Sequence, residues 1–173
     1  MSKKYVLTEN TKEWFGVTLY QIKAVRPIEE YDIEEGELGG WIEKEDNLDQ
    51  YGNAWVSGDA RVYGDARVSG NARVYGDARV YGDAWVYGDA RVESRKHIFW
   101  ASSVGSESGT LTAYTIKTGE IEVTRGCFRG TLEEFENAVN SRHGDSRHGE
   151  EYLVLIQYIK LRFREVTVSV EVD

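Results

Sequence analysis

Between Tyr51 and Val92 the chain repeats one six-residue unit seven times without an insertion, as YGNAWV SGDARV YGDARV SGNARV YGDARV YGDAWV YGDARV. Valine recurs at 56, 62, 68, 74, 80, 86 and 92, alanine at 54, 60, 66, 72, 78, 84 and 90, and glycine at 52, 58, 64, 70, 76, 82 and 88. A strict period of this kind narrows the possible folds, because every unit must adopt the same local structure and bury the same side chains against its neighbours. Ala-Arg-Val-Tyr alternates small or apolar residues with polar ones, which makes a short strand with Ala and Val on one face. The following Gly-Asp or Gly-Asn turns the chain, since these residues tolerate positive φ at little cost. A strand of about four residues and a two-residue corner, repeated, build a coil and not a hairpin.

These units resemble the hexapeptide-repeat, left-handed parallel β-helix family. The resemblance implies that three units make one triangular coil, with an aliphatic and a small residue pointing inward from each. Upstream, Ile42, Leu48 and Ala54 are six apart and extend the small inward register, beginning near Gly39-Gly40-Trp41-Ile42. The expected fold is therefore mainly β, a short left-handed parallel β-helix of about three coils and about 15 Å in height at the usual strand spacing. Its core of valine and alanine is thin, and both ends expose unpaired backbone that the flanks must cover.

The flanks divide the chain into an N-terminal β cap over 1–37, the β-helix over 38–96 and an α+β C-terminal unit over 97–173. Tyr5-Val6-Leu7 and Val17–Ile22 read as strands that seal the N-terminal end. His97–Ala101, Thr110–Ile116 and Glu120–Thr124 read as three more. Thr131-Leu132-Glu133-Glu134 matches a capping box, and Leu132, Phe135 and Val139 mark an amphipathic helix over 131–142. Residues 141–149 read as a polar loop, Glu150–Phe163 as a second helix with strand as the alternative from Tyr158, and Val166–Val172 as a last strand. The segments Gly36–Glu43 and Gly126–Phe135 also resemble an uncharacterised group of bacterial and bacteriophage proteins, which implies a mobile-element origin and supplies no activity.

Thirty acidic and twenty-one basic residues give a net charge of −9. Nonspecific binding to nucleic-acid phosphates is disfavoured. The excess lies mainly in residues 1–50, with twelve acids and six bases, and clusters at Glu29, Glu30, Asp32, Glu34, Glu35 and Glu37. Such a cluster is either a solvated loop or an acidic patch that docks a basic partner or imitates a phosphate backbone. One cysteine excludes an internal disulfide framework and a four-thiolate zinc site. No apolar run reaches the roughly 18 residues of a membrane span, and the start is not a secretory signal. A cytoplasmic protein without membrane contact is expected.

Stacking units eighteen residues apart predicts three outward faces. The first carries Trp55, Arg73 and Arg91, with Ser57, Tyr75 and Glu93. The second carries Arg61 and Arg79, with Tyr63 and Tyr81, continued by His97 and Phe99. The third carries Asp49, Arg67 and Trp85, with Tyr51, Ser69 and Tyr87. Outward Arg, Trp and Tyr are enriched at binding hot spots. Trp55, Arg61, Tyr63, Arg67, Arg73, Arg79, Tyr81 and Trp85 are thus candidate binding residues, with Glu34, Glu35 and Glu37 for acidic docking. Arg61/Arg79 and Tyr63/Tyr81 should form ladders, with guanidinium groups beside phenol rings. Ladders that only stabilise the strands are the alternative.

Signals for chemistry are weaker. The β-helix resemblance would imply acyl transfer by a histidine between subunits of a trimer, yet no histidine lies in 51–92 and no loop interrupts the repeat. His97 is the one candidate near a coil. Cys127 precedes a helix start, which can lower a thiol pKa, with His143 or His148 as base. A buried structural thiol is the alternative. Arg129, Gly130 and Thr131 could hold an anion at the same helix start, without a P-loop lysine. His143 and His148 with Asp145 form a poor metal pattern, and no metal or cofactor is expected. The residues lead to a non-catalytic binding protein that inhibits or sequesters a host factor. The alternatives are a sponge for an anionic nucleotide signal, an acyltransferase-like trimer using His97, and a self-assembling structural protein. The expected partners are a host protein and further copies of the chain, as dimer or trimer.

Overall fold

The computed structural model describes residues 3–168, which divide into two compact units, one ending at Arg95 and the other beginning at Lys96. The first unit opens with an antiparallel hairpin of β1 (Tyr5–Trp14) and β2 (Val17–Ala24), joined by the two-residue turn Phe15-Gly16. β2 pairs antiparallel with β3 (Leu38–Ile42). Seven strands of two residues follow, one per repeat: β4 (Trp55–Val56), β5 (Arg61–Val62), β6 (Arg67–Val68), β7 (Arg73–Val74), β8 (Arg79–Val80), β9 (Trp85–Val86) and β10 (Arg91–Val92).

All their pairings are parallel and in register with the repeat. The first face is β4–β7–β10, with Trp55 beside Arg73 and Arg73 beside Arg91. The second is β3–β5–β8, continuous with the hairpin. The third is β6–β9, extended by a bridge from Leu48 to Val68. Every repeat valine and alanine is buried, as are Ile42 and Leu48. The chain is thus mainly β with a parallel solenoid core, as the repeat requires. At the corners every repeat glycine has positive φ, between 62° and 72°, which is why no other residue occupies that place.

The upstream register differs from the expectation. Ile42 pairs with Val62 and Leu48 with Val68, an offset of twenty, so both take valine places and not the small inward ones. Two extra residues before Ala54 restore the period. As a result Asp49 sits beside Ser69, and Asn47, not Asp49, stands over Arg67. Gly39 and Gly40 fill the crowded top of the coil. A Cβ on Gly39 would lie 2.6 Å from Val56 O, and one on Gly40 would lie 2.7 Å from Val56 Cγ1.

In one corner column the same stacking accounts for Asn in place of Asp. Asn53, Asn71 and Asp89 are eighteen apart and form a column in which Asn53 Nδ2 donates to Asn71 Oδ1 and Asn71 Nδ2 to Asp89 Oδ1, both at 3.3 Å. A carboxylate cannot donate, so these two hydrogen bonds need an amide in the upper places of that column.

The N-terminal end is sealed by side chains. Within the coil, each strand amide donates to a carbonyl seventeen residues on, as Trp55 N does to Ala72 O at 2.9 Å. The uppermost carbonyls have no such donor above them. Lys4 Nζ donates to Ala54 O at 2.7 Å, Tyr5 Oη to Leu48 O at 2.6 Å, and Asn47 Nδ2 to Ala66 O at 2.9 Å. All three residues are fully buried. Unpaired buried carbonyls are costly, so these donors replace a missing coil.

The second unit holds a four-stranded antiparallel meander, β11 (Ile98–Val104), β12 (Gly109–Thr115), β13 (Ile121–Arg125) and β14 (Phe128–Thr131), followed by α1 (Leu132–His143) and α2 (Arg147–Val168). Leu111, Ala113 and Val123 from the sheet pack with Leu132, Phe135 and Val139 of α1 and Tyr152, Ile156, Ile159 and Phe163 of α2. The capping box is present: Thr131 Oγ1 accepts from Glu134 N, and Glu134 Oε2 accepts from Thr131 N. The polar loop contracts to residues 144–146, since Gly144 ends α1 and Ser146 Oγ accepts from Gly149 N at the start of α2. Tyr158–Phe163 is helical, and so are Val166–Val168, where a strand was expected; the buried Val166 continues the Ile159–Phe163 stripe. The rest of that expected strand lies outside the described residues. Among the described residues no helix is long and apolar enough to cross a membrane.

Burial lowers the Lys4 pKa from 10.5 to about 8, partly offset by Asp49. The folded state therefore holds fewer protons than the unfolded chain between pH 8 and 10, and stability rises across that window by up to about 3 kcal/mol. Above pH 10 Tyr5, whose pKa burial raises, turns the trend downward. Urea midpoints should climb from pH 7.5 to 9.5, and Lys4→Met should flatten that climb; an unchanged slope would exclude Lys4 as its source.

Candidate functional site

The three outward faces are not equivalent. On the second face, Trp14 at the hairpin end lies over the arginine ladder, with Arg61 Cζ 3.8 Å and Arg79 Cζ 4.7 Å from its ring centre. Lys12 sits 3.8 Å from the Trp41 ring. The ladder partners are thus corrected: Arg61 and Arg79 stack on an indole of the hairpin. Tyr63 and Tyr81 do stack on each other, 5.1 Å apart and 7° from parallel. Their expected partner, a guanidinium, is held elsewhere.

On the first face the cover is Tyr31, from the segment between β2 and β3. Its ring lies 5.4 Å from Arg73 Cζ and 5.1 Å from Arg91 Cζ, and its hydroxyl donates to Asn71 O. Glu30 adds an ion pair to Arg91 at 3.7 Å and accepts from Asn53 Nδ2 at 2.9 Å. Trp55 was expected on this surface and is corrected: it is 0 % exposed, its indole lodged where Gly39 lacks a Cβ. Glu34, Glu35 and Glu37 are exposed. The acidic cluster is therefore divided, with Glu30 engaged against the coil and Glu34, Glu35 and Glu37 facing solvent.

The third face is the most exposed of the three among the described residues. Arg67, Tyr51 and Tyr87 are exposed, and Trp85 is 45 % exposed, with its ring 6.1 Å from that of Tyr87. A groove of about 450 Å³ runs beside them, lined by Glu45, Asp46, Asp49, Tyr51, Arg67 and Trp85. Lys3 pairs with Glu45 at 2.7 Å on its rim. Aromatic rings, one guanidinium and neighbouring carboxylates form a mixed, exposed surface.

The second unit has a cavity of about 280 Å³, lined among others by Arg125, Cys127, Phe128, Arg142, His143 and Tyr152. Cys127 is exposed in the turn between β13 and β14, with a strand between it and α1. The expected help from a helix N-terminus is therefore corrected. Cys127 shares its cavity with Arg142 and His143 of the last turn of α1. Arg125 Nη2 donates to Val104 O at 2.9 Å, and Glu107 lies 3.7 Å from its Nη1.

The anion site expected at Arg129, Gly130 and Thr131 is also corrected. Arg129 pairs with Glu122 at 2.8 Å, the space at Gly130 is taken by the Glu134 carboxylate, and the capping box uses Thr131. His143 and His148 have ring centres 6.4 Å apart, and His148 Nδ1 is 3.6 Å from Glu151. No group of three or more metal-binding side chains occurs among the described residues. His97 ends the 3-10 turn Arg95–His97.

Sequence reasoning missed Phe15, which is exposed at the hairpin tip with φ of 48°. Positive φ is unusual for a bulky residue. The signal was available in Trp14-Phe15-Gly16-Val17, since two residues between strands demand a turn with positive φ.

Comparison with protein families finds a match to the YdcK beta solenoid repeat over residues 60–74 and 72–88. This is similarity in the repeat. Comparison with curated proteins finds no match.

Tyr31→Ala should remove two cation–π contacts and a buried hydroxyl donor, lowering stability by about 1–2 kcal/mol in urea unfolding. Tyr81→Ala, at an exposed ladder, should cost less than about 1 kcal/mol. Equal losses would contradict the covering role of Tyr31.

Proposed function

We propose that this chain is a non-catalytic binding protein whose solenoid is a rigid left-handed β-helix of three coils, and that its third face is the recognition surface. The carrying observation is the unequal cover of the three faces. Trp14 and Tyr31 hold four of the five repeat arginines against the chain's own rings, whereas Arg67 shares an exposed groove with Trp85 and Tyr51. Three inward rungs on each face, counting Ile42 and Leu48, support the number of coils. The handedness rests on the likeness of the six-residue period to hexapeptide repeats.

The intended partner is a protein surface, and the biological role is to block or sequester a host factor. The likeness of Gly36–Glu43 and Gly126–Phe135 to phage and bacterial proteins supports that role. A sponge for an anionic nucleotide is less favoured. It would rely on stacked arginines, and those are occupied by Trp14 and Tyr31; Arg67 sits among Asp46, Asp49 and Glu45. Carboxylates at that spacing oppose a phosphate.

Affinity capture from host lysate tests this reading. Arg67→Glu combined with Trp85→Ala should reduce recovery of a partner captured by the parent at least tenfold. Tyr63→Ser combined with Tyr81→Ser should leave recovery unchanged. Loss through the second pair and retention through the first would reverse the assignment.

A further inference from the structure

The cavity of about 280 Å³ in the second unit lies between the β13–β14 turn and the last turns of α1. One wall is a run of rings in contact. Phe128 lies 5.1 Å from Phe135, Phe135 5.5 Å from Tyr152, and Tyr152 5.5 Å from His143, centre to centre. Ala138 and Val139 complete the apolar part. The same lining carries two guanidinium groups, Arg125 and Arg142, against one carboxylate, Glu107. Arg142 is exposed and forms no ion pair among the described residues.

Two buried polar groups of this lining lack partners. Tyr152 is 4 % exposed, and its hydroxyl forms no hydrogen bond among the described residues. That hydroxyl reaches the turn at Gly105, where a Cβ would collide with it, beside the lining residues Ser106 and Glu107. The Arg125 side chain is 10 % exposed. Its Nη2 is fixed on Val104 O, whereas its Nε is buried without a partner. Buried polar groups are normally satisfied, so orphans that line an open cavity call for a polar atom within it.

We propose that this cavity binds a small aryl carboxylate. The lining divides such a ligand in two. Its ring packs along Phe128, Phe135 and Val139, where apolar burial and ring contact are favourable. Its carboxylate meets Arg142, whose planar fork matches two oxygens, and Arg125 adds a second positive charge already anchored on the backbone. Glu107 opposes an anion, but it is 73 % exposed and 3.7 Å from Arg125, and two guanidinium groups outweigh it. A bare inorganic anion would leave the rings unused, and a hydrocarbon would leave the arginines without a partner. The volume is at the small end of ligand cavities, too small to enclose a nucleotide. The site lies wholly within the second unit and is independent of the third face.

Amide-resolved NMR titration of the full chain tests this, with 3-phenylpropionate as the probe. Saturable shifts should appear at Gly126, Cys127, Ala138 and Arg142, with a dissociation constant of about 1 mM or tighter. The neutral counterpart, 3-phenylpropanamide, should bind at least about tenfold more weakly. Arg142→Ala, at an exposed position, should impose a similar loss on the acid and leave the amide unchanged. Ala138→Leu, which fills the cavity from a half-buried helix position, should abolish binding of both with unchanged circular dichroism. Inorganic phosphate should not displace the probe at equal concentration. Absent shifts at these residues, equal affinity for acid and amide, or an Arg142→Ala variant that binds the acid like the parent would overturn the site. Displacement of the probe by phosphate would overturn the role of the rings.

Discussion

The first unit depends on one constraint: each backbone amide reaches a carbonyl one coil away, and the side chains between them must be small enough to share a narrow interior. Valine and alanine meet that condition at every rung. Glycine corners with positive φ let the chain change direction without losing register. The same constraint creates the need for a cap, because the first coil leaves carbonyls without donors. Lys4, Tyr5 and Asn47 supply them from outside the repeat. The cap is polar and wholly buried, and its hydrogen bonds tie the N-terminal segment to the solenoid.

The N-terminal segment makes the three faces unequal. The stretch that precedes the repeat provides the cap, then Trp14 for one face, then Tyr31 for another. Guanidinium groups stacked eighteen residues apart repel, and an aromatic ring laid across each pair relieves this, with Glu30 adding an ion pair to Arg91 on the first face. The third face breaks the pattern. Its repeat position alternates Arg67 with Trp85, so the column carries one charge, and its upper neighbour is the cap residue Asn47. That composition is the basis for proposing this face as the recognition surface.

Much of the solenoid was legible in the sequence, because stacking converts a six-residue period directly into pairing at eighteen. Even the two asparagines at 53 and 71 are explained by it. The upstream offset was not legible: Ile42, Leu48 and Ala54 are also six apart, and only the pairing of Leu48 with Val68 exposes the two extra residues. Trp14 and Tyr31 could not be placed from sequence, since nothing local to a hairpin or a loop says which distant face it will cover. Trp55 misled because it occupies an outward repeat position, and the space that buries it comes from Gly39. In the second unit, Thr131 and Glu134 announced α1, but Ser146 as the cap of α2 was hidden by a run of polar residues resembling a loop. Val166 was misread because alternating valines suit a strand as well as the end of a helical stripe.

Hydroxyl-radical footprinting read by mass spectrometry tests the unequal faces most directly. Rapid labelling of Trp85 and Tyr51 and strong protection of Tyr31 and Trp55 are expected. Comparable labelling of Tyr31 and Trp85 would mean that the N-terminal segment does not cover the first face, and the choice of the third as the recognition surface would lose its basis.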